Sequence, residues 1–356
     1  MFWEKEGKLI YSYDGETVCI EAWGKDALRV RATKNRSFTG RDWALEAKDA
    51  HAGEVEIFED PSAKGGAFAN MYEGTDTSYG KITNGTLHAV IDSGSVITFY
   101  HEDGRVLLKE HFRRLRDEES MPLNIMGREY SNGVGDNFRI VTRFVARKGE
   151  KIFGMGQYQQ HELDLKGCML ELAQRNSQVS VPFYLSSIGY GFLWNNPGVG
   201  QVMFANNGTE WVTESGKEID YLVIAGDTPA EIEENYMTLT GKPPMMPEYG
   251  MGFWQCKLRY WNQEQLLSVA RKYKELGVPL DVIVVDFFHW TKQGEFKFDP
   301  KYWPDVPGMC RELKEMGIQV VVSVWPTVDI YSENFEEMKE KGYLVRTEHG
   351  VPLTML

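Results

Sequence analysis

Hydrophobic and polar positions change their rhythm once along this chain, near residue 242. Before that point, short apolar or alternating runs are separated by turn dipeptides. Asp14-Gly15 lies between Leu9-Ile-Tyr-Ser-Tyr13 and Val18-Cys-Ile-Glu-Ala22, Asn84-Gly85 precedes Leu87-His-Ala-Val-Ile91, and Asp103-Gly104 separates Val96-Ile-Thr-Phe-Tyr100 from Val106-Leu-Leu108. Asn-Gly and Asp-Gly tolerate the positive φ angles of type I′ turns, so these read as hairpins. Further strand-like runs at 138–145, 179–185, 190–194 and 221–224 predict an antiparallel β-sandwich.

Thr228-Pro-Ala-Glu231 has an N-cap, a proline in first helical position and a reciprocal Glu, which predicts a helix to about Leu239, stopped by Gly241. Lys242-Pro-Pro-Met-Met-Pro247 cannot continue a helix and reads as a linker. The expected domains are therefore 1–242 and 243–356.

From Tyr249 the rhythm becomes strand, helix, strand. A strand is expected at 250–254, then a helix capped by Asn262 and ended by Gly277, and a strand from 282 to 286. Asp305 and Gly317 bracket a second helix, a third strand covers 319–325, and a third helix runs from Ser332 to near Gly342. Three βα units in line fit a parallel sheet or barrel. A complete (β/α)8 barrel needs eight units and typically about 250 residues. The expectation is a multidomain β plus α/β chain, an antiparallel sandwich followed by the first three βα units of a TIM barrel, truncated after the third.

The segment Asp281-Val-Ile-Val-Val-Asp286-Phe-Phe-His-Trp290 carries the most chemistry. A strand apolar on both faces belongs to a buried parallel sheet, and barrel active sites form at the carboxyl ends of strands. Asp286 with Phe287, Phe288 and Trp290 suits a sugar, since rings supply flat apolar area and a carboxylate accepts from hydroxyls. The other predicted strands end near Trp254-Gln-Cys256 and Trp325-Pro326. Taken singly, Trp254 and Trp325 could fill a core and Asp286 could cap a turn; their coincidence at three strand ends argues for a pocket.

Glu295, Asp299, Asp305 and Asp329 lie near the same face. Asp305 reads as a helix cap and Asp299, before Pro300, as a turn residue. Glycoside hydrolysis needs two carboxyl groups flanking the bond, and only Asp286 is well placed. His289 reads as a hydrogen-bonded structural residue.

Composition narrows the partners. Aromatic content is high, with ten Trp and seventeen Tyr, and the net charge of −13 argues against nucleic acid and favours a soluble protein with a neutral ligand. Met1-Phe-Trp-Glu-Lys-Glu lacks the basic start and apolar core of a signal peptide, and no run reaches membrane-spanning length, so a cytoplasmic location with no membrane partner is expected. Cys19, Cys168, Cys256 and Cys310 show no CxxC spacing and are expected as free thiols, with no metal and no cofactor.

From about Lys151 onward the chain resembles glycoside hydrolase family 31, the retaining α-glycosidases that include α-glucosidases and α-xylosidases. The resemblance rests on Phe153-Gly-Met-Gly-Gln157, the run from Pro182 to Asn196, Thr228-Pro-Ala-Glu231, Gly252-Phe-Trp-Gln-Cys256, Val285-Asp-Phe-Phe288, Phe298-Asp-Pro300, Trp303-Pro-Asp305 and Val324-Trp325, in this order. It implies a galactose-mutarotase-like sandwich and hydrolysis of terminal α-xylosyl or α-glucosyl residues, with a lean to the α-xylosidase branch. It also implies that Asp286 anchors sugar hydroxyls in the −1 subsite, lined by Phe288 and Trp325 with Trp254 beneath, and Phe287 and Trp290 complete the binding set.

The family's nucleophile and acid/base are aspartates on later strands, so no catalytic residue is assigned before Leu356 and this chain is expected to be inactive alone. Gln157 or Gln174-Arg-Asn176 could reach the pocket from sandwich loops. The implied partner is a small oligosaccharide or α-glycoside, and the full-length protein is compatible with a homo-oligomer. The rival is a non-catalytic carbohydrate-binding module or scaffold built on the sandwich.

Overall fold

The computed structural model describes residues 1–46, 49–61, 76–111, 125–347 and 350–353. The chain divides into two compact units, Met1–Pro243 and Pro244–Leu356, one residue along from the expected boundary.

In the first unit every strand pair is antiparallel. A nine-stranded sheet runs in the order Phe2–Lys5, Lys8–Tyr13, Glu16–Trp23, Ala27–Thr33, Ile219–Ala225, Tyr190–Trp194, Val179–Ser186 and Ile152–Gln157, with Ala50–His51 paired to Glu16–Trp23. Two five-stranded sheets, one containing Ile97–His101 and the other Phe138–Phe144 and Thr209–Gly216, share a core with it. Rings from all three sheets meet there: Tyr221 lies 6.2 Å from Phe99 and 5.4 Å from Phe144, and Trp194 lies 5.5 Å from Trp211. The expected sandwich is present.

The turns differ in type. Asp14 and Gly15 both take positive φ, 50° and 74°, in the loop closed by the Tyr13 and Glu16 pair, as a type I′ turn requires. At the second hairpin Asn84 pairs with Leu87 and is the last strand residue, so the loop is Gly85-Thr86 with φ positive at Gly85 alone. Around Asp103, the His101 N–H bonds Arg105 O and only Gly104 is positive, a longer loop than the expected I′ turn.

The helix Pro229–Thr240 forms with its capping box: Glu231 N–H donates to Thr228 Oγ1 and the Thr228 N–H donates to Glu231 Oε2. It covers one face of the nine-stranded sheet through Ile232, Leu239 and Tyr236, whose ring stacks on Phe183 at 3.9 Å.

The second unit holds three parallel strands, Trp254–Cys256, Val282–Val285 and Gln319–Val322. Its helices are Gln263–Glu275, Val306–Glu315 and Phe335–Glu340. Asn262 and Asp305 cap the first two by accepting from Gln265 N–H and Gly308 N–H. Ile283 and Val285 point to the helices and pack with Leu266, Leu267, Ala270, Met309 and Leu313. With a side-chain period of two, Val282, Val284 and Asp286 share the opposite face.

Three expectations about this unit need correction. Residues 250–254 are not the first strand. A 3-10 turn occupies Glu248–Met251, and the Phe253 N–H is drawn to Asp281 Oδ2 at 2.9 Å, so the strand opens at Trp254 rather than ending there. The third strand stops at Val322, because its last ladder bond, Ser323 N–H to Val285 O, reaches the end of the neighbouring strand. Trp325 therefore lies beyond the strand. The third helix begins at Phe335 instead of Ser332, whose hydroxyl accepts from Asn334 N–H in the preceding turn. Leu356, on which the expected truncation rests, lies outside the described residues.

Candidate active site

Asp286 leaves the second strand directly after its buried Val285. Its two oxygens have different duties. Oδ1 accepts from the Phe287 N–H at 2.8 Å, which is the turn-capping role, and Oδ2 faces the Cys256 thiol at 3.5 Å. Each oxygen thus keeps a lone pair for a ligand hydroxyl.

The chain turns sharply here. Phe288 has a φ of 61°, a conformation that costs a non-glycine residue about 1–2 kcal/mol. His289 stabilises the turn: it is 3 % exposed, its Nδ1–H donates to Asp286 O, and its ring lies 4.8 Å from Phe298. Burial pushes the imidazole pKa down, consistent with a neutral structural residue.

The turn gathers four aromatic rings. Phe287 lies 4.7 Å from Phe288 and 5.5 Å from Trp325, and Trp325 lies 6.4 Å from Phe288 and 6.1 Å from Trp290. Trp290 is buried, while Phe288 and Trp325 present open faces. Trp290 and Trp325 also wall a cavity of about 260 Å³ with Phe296, Phe298 and Val322.

Trp254 stands apart from this cluster. The register pairs it with Val282, four positions before Asp286, which is roughly 13 Å along a strand. Its indole N–H donates to Gly250 O. Cys256 takes the place beside Asp286 instead.

The four other carboxylates that the sequence placed near this face have partners of their own. Asp299 accepts from Lys301 N–H, Asp305 caps its helix and Asp329 accepts from Tyr331 N–H. Glu295 is buried with Lys292 Nζ at 3.7 Å.

Arg259 and Trp261, which the sequence did not single out, join the site. Tyr260 between them is buried in the helix-facing core, so its neighbours turn to the other side. The Arg259 guanidinium carbon lies 3.8 Å from the Trp261 ring centre and 5.0 Å from that of Phe288. Only the alternation around Tyr260 hinted at this.

In the first unit, Gln174 is bonded in both directions to the Ser180 backbone and Gln157 ends a strand paired with Val179. A small cleft of about 60 Å³ is lined by Tyr13, Glu16, Lys34, Glu110, Arg128 and Tyr130. Arg128 is already bound to Glu16 and Glu110, and the Tyr130 hydroxyl to Glu16. Among the described residues no group of three or more His, Cys, Asp or Glu could hold a metal ion.

Residues 17–202 match the glycosyl hydrolase 31 N-terminal galactose mutarotase-like domain, and residues 243–355 match the glycosyl hydrolases family 31 TIM-barrel domain. The chain belongs to glycoside hydrolase family 31. A family 31 glucosidase of uncharacterized activity from Pseudescherichia vulneris is 42 % identical over 99 % of this chain and 65 % of its own length. An α-xylosidase from Saccharolobus solfataricus is 36 % identical over 58 % of the chain and 30 % of its own length. A crystal structure of a family 31 α-xylosidase from a soil metagenome, complexed with xylose, superposes with a TM-score of 0.87 at 45 % identity, covering 100 % of this chain and 51 % of that one. This family 31 chain therefore spans about half to two thirds of the length of these relatives over which it aligns most fully. The fold is the family's: a galactose mutarotase-like sandwich followed by part of a TIM barrel.

Proposed function

We propose that residues 1–356 carry the sugar-anchoring portion of a retaining α-glycosidase that removes terminal non-reducing α-xylosyl residues, with α-glucosyl as the second substrate. One observation carries this. Asp286 leaves the carboxyl end of a parallel strand with each oxygen accepting one hydrogen bond and keeping a lone pair, beside a wall of Phe287, Phe288, Trp290 and Trp325. A carboxylate accepting from hydroxyls next to open aromatic faces is a sugar site. The lean to xylose is supported by the named α-xylosidases among the relatives and by the xylose-bound structural neighbour.

Asp286 is an anchor in this reading, not a reacting group. Double displacement needs two carboxyls about 5–5.5 Å apart, and Asp299, Asp305 and Asp329 serve turns and a helix cap. The nucleophile and the acid/base belong to a part of the protein outside these residues, and the 356-residue chain does not turn over alone.

Calorimetric titration of the chain with methyl α-xyloside tests the anchor: saturable binding is expected, weakened at least about tenfold by Asp286→Asn. Binding unaffected by that change would overturn the assignment. Hydrolysis of p-nitrophenyl α-xyloside by this chain would overturn the placement of the reacting pair.

A further inference from the structure

In the second unit, Arg259 places a charged group among aromatic rings instead of beside a carboxylate. Among the described residues it makes no ion pair, and its Nε is buried without a hydrogen-bond partner. The guanidinium is held by ring faces alone, at 3.8 Å over Trp261 and 5.0 Å over Phe288. Stacking occupies the flat faces of the group and leaves its N–H edge pointing sideways.

Both rings are themselves fixed. The Trp261 N–H donates to Gln265 Oε1 at the start of the first helix, and Phe288 is set by its left-handed backbone and its contacts to Phe287, Trp290 and Trp325. A buried donor without an acceptor costs stability, so the arrangement is paid for by something other than the fold of this unit.

The contact with Phe288 says which side of Asp286 this group serves. Asp286 follows the last residue of its strand, and Phe288, over which Arg259 lies, is two positions further along, past the carboxyl end of that strand. That is the mouth side of a barrel pocket. A sugar anchored by Asp286 would have its leaving group there.

We propose that Arg259 binds the leaving-group side of the substrate, donating from its guanidinium edge to hydroxyl oxygens of a second sugar, while Trp261 offers that sugar a stacking face. The inference rests on Asp286 being the anchor of the terminal sugar. It makes the preferred substrate a glycoside of a polyhydroxylated partner rather than of an apolar alcohol.

The test compares two ligands, methyl α-xyloside and an α-xylosyl-glucose disaccharide, by calorimetric titration of the wild-type chain, Arg259→Met, Arg259→Lys and Asp286→Asn. Arg259→Met keeps an unbranched apolar stem against the rings and removes the donors. It is expected to weaken the disaccharide about tenfold or more while methyl α-xyloside stays within about twofold. Arg259→Lys should fall between, because an ammonium lacks the planar fork. Asp286→Asn should weaken both ligands.

An unchanged disaccharide affinity in Arg259→Met, or equal losses for both ligands, overturns the inference and leaves the anchor standing. Failure of the wild-type chain to bind either ligand overturns the anchor and this inference together.

Discussion

The thiol of Cys256 faces the carboxylate of Asp286, Sγ to Oδ2 at 3.5 Å, across two parallel strands whose register pairs Cys256 with Val284. Burial and the neighbouring Asp286 charge push the thiol pKa up from its ordinary value. At neutral pH Cys256 is therefore protonated and donates toward Asp286.

Alkylation reports that contact. Cys256 and Cys310 are both exposed, so access does not separate them; because the thiolate is the nucleophile, Cys256 should react with iodoacetamide more slowly than Cys310, and Asp286→Asn should speed it severalfold by removing the repelling charge. Peptide mass spectrometry after a short exposure near pH 8 measures both sites in one sample. An Asp286→Asn rate equal to wild type would show that the carboxylate does not act on the thiol.

Gly252 is required by a steric contact rather than by its backbone angle. A Cβ there would lie 2.2 Å from Asp281 Cγ, against the carboxylate that accepts the Phe253 N–H. Gly252→Ala is expected to destabilise the second unit by about 1–3 kcal/mol. Urea unfolding followed by hydrogen exchange of the Val282–Val285 amides reads that loss in the right place.

Thr228→Ala removes one half of a capping box that is complete in the structure. The expected cost is about 1 kcal/mol. It should appear as faster exchange of amides in the first turn of the Pro229–Thr240 helix, with the sheet amides beneath it changed less.

The pH profile follows from His289. Its folded-state pKa is held below the ordinary 6.5 by burial, so as pH falls through 6.5 the unfolded chain takes up the proton first. The stability that neutral His289 contributes is therefore present above pH 6.5 and lost below it. The midpoint of second-unit unfolding should decline between pH 7 and pH 5, and His289→Gln should make that decline shallower. Parallel profiles for the two proteins would assign the pH dependence to other groups.

Much of the site was legible because its signals are local. Asp286 at a strand end, the run of rings to Trp290, the structural character of His289, and the caps at Thr228, Asn262 and Asp305 each depend on neighbours within a few positions. Trp254 and Trp325 were located less well. Strand limits depend on where the partner strand offers a hydrogen-bonding group, and neither partner is near in sequence. Trp254 opens its strand because Asp281 holds Phe253, and the third strand stops short of Trp325 because Val285 is the last residue it can pair with.

The sequence by itself determined the two-part architecture, the antiparallel and then parallel sheets, the starts of the three helices capped by Thr228, Asn262 and Asp305, and the place of Asp286 directly after a strand. Periodicity, turn glycines and caps act over one turn or one strand, and no distant residue is needed to read them. Tertiary structure decided which groups became neighbours. Arg29 is buried against Asp220 across 191 positions of chain. Cys256, rather than Trp254, stands beside Asp286 because of strand register. Arg259 lies over Phe288 because a buried Tyr260 turns it outward and a strained backbone at Phe288 presents a ring to meet it. Pairing, register and burial are properties of the packed chain, and they set Cys256 beside Asp286, gathered four rings at the turn that follows it and laid Arg259 over one of them.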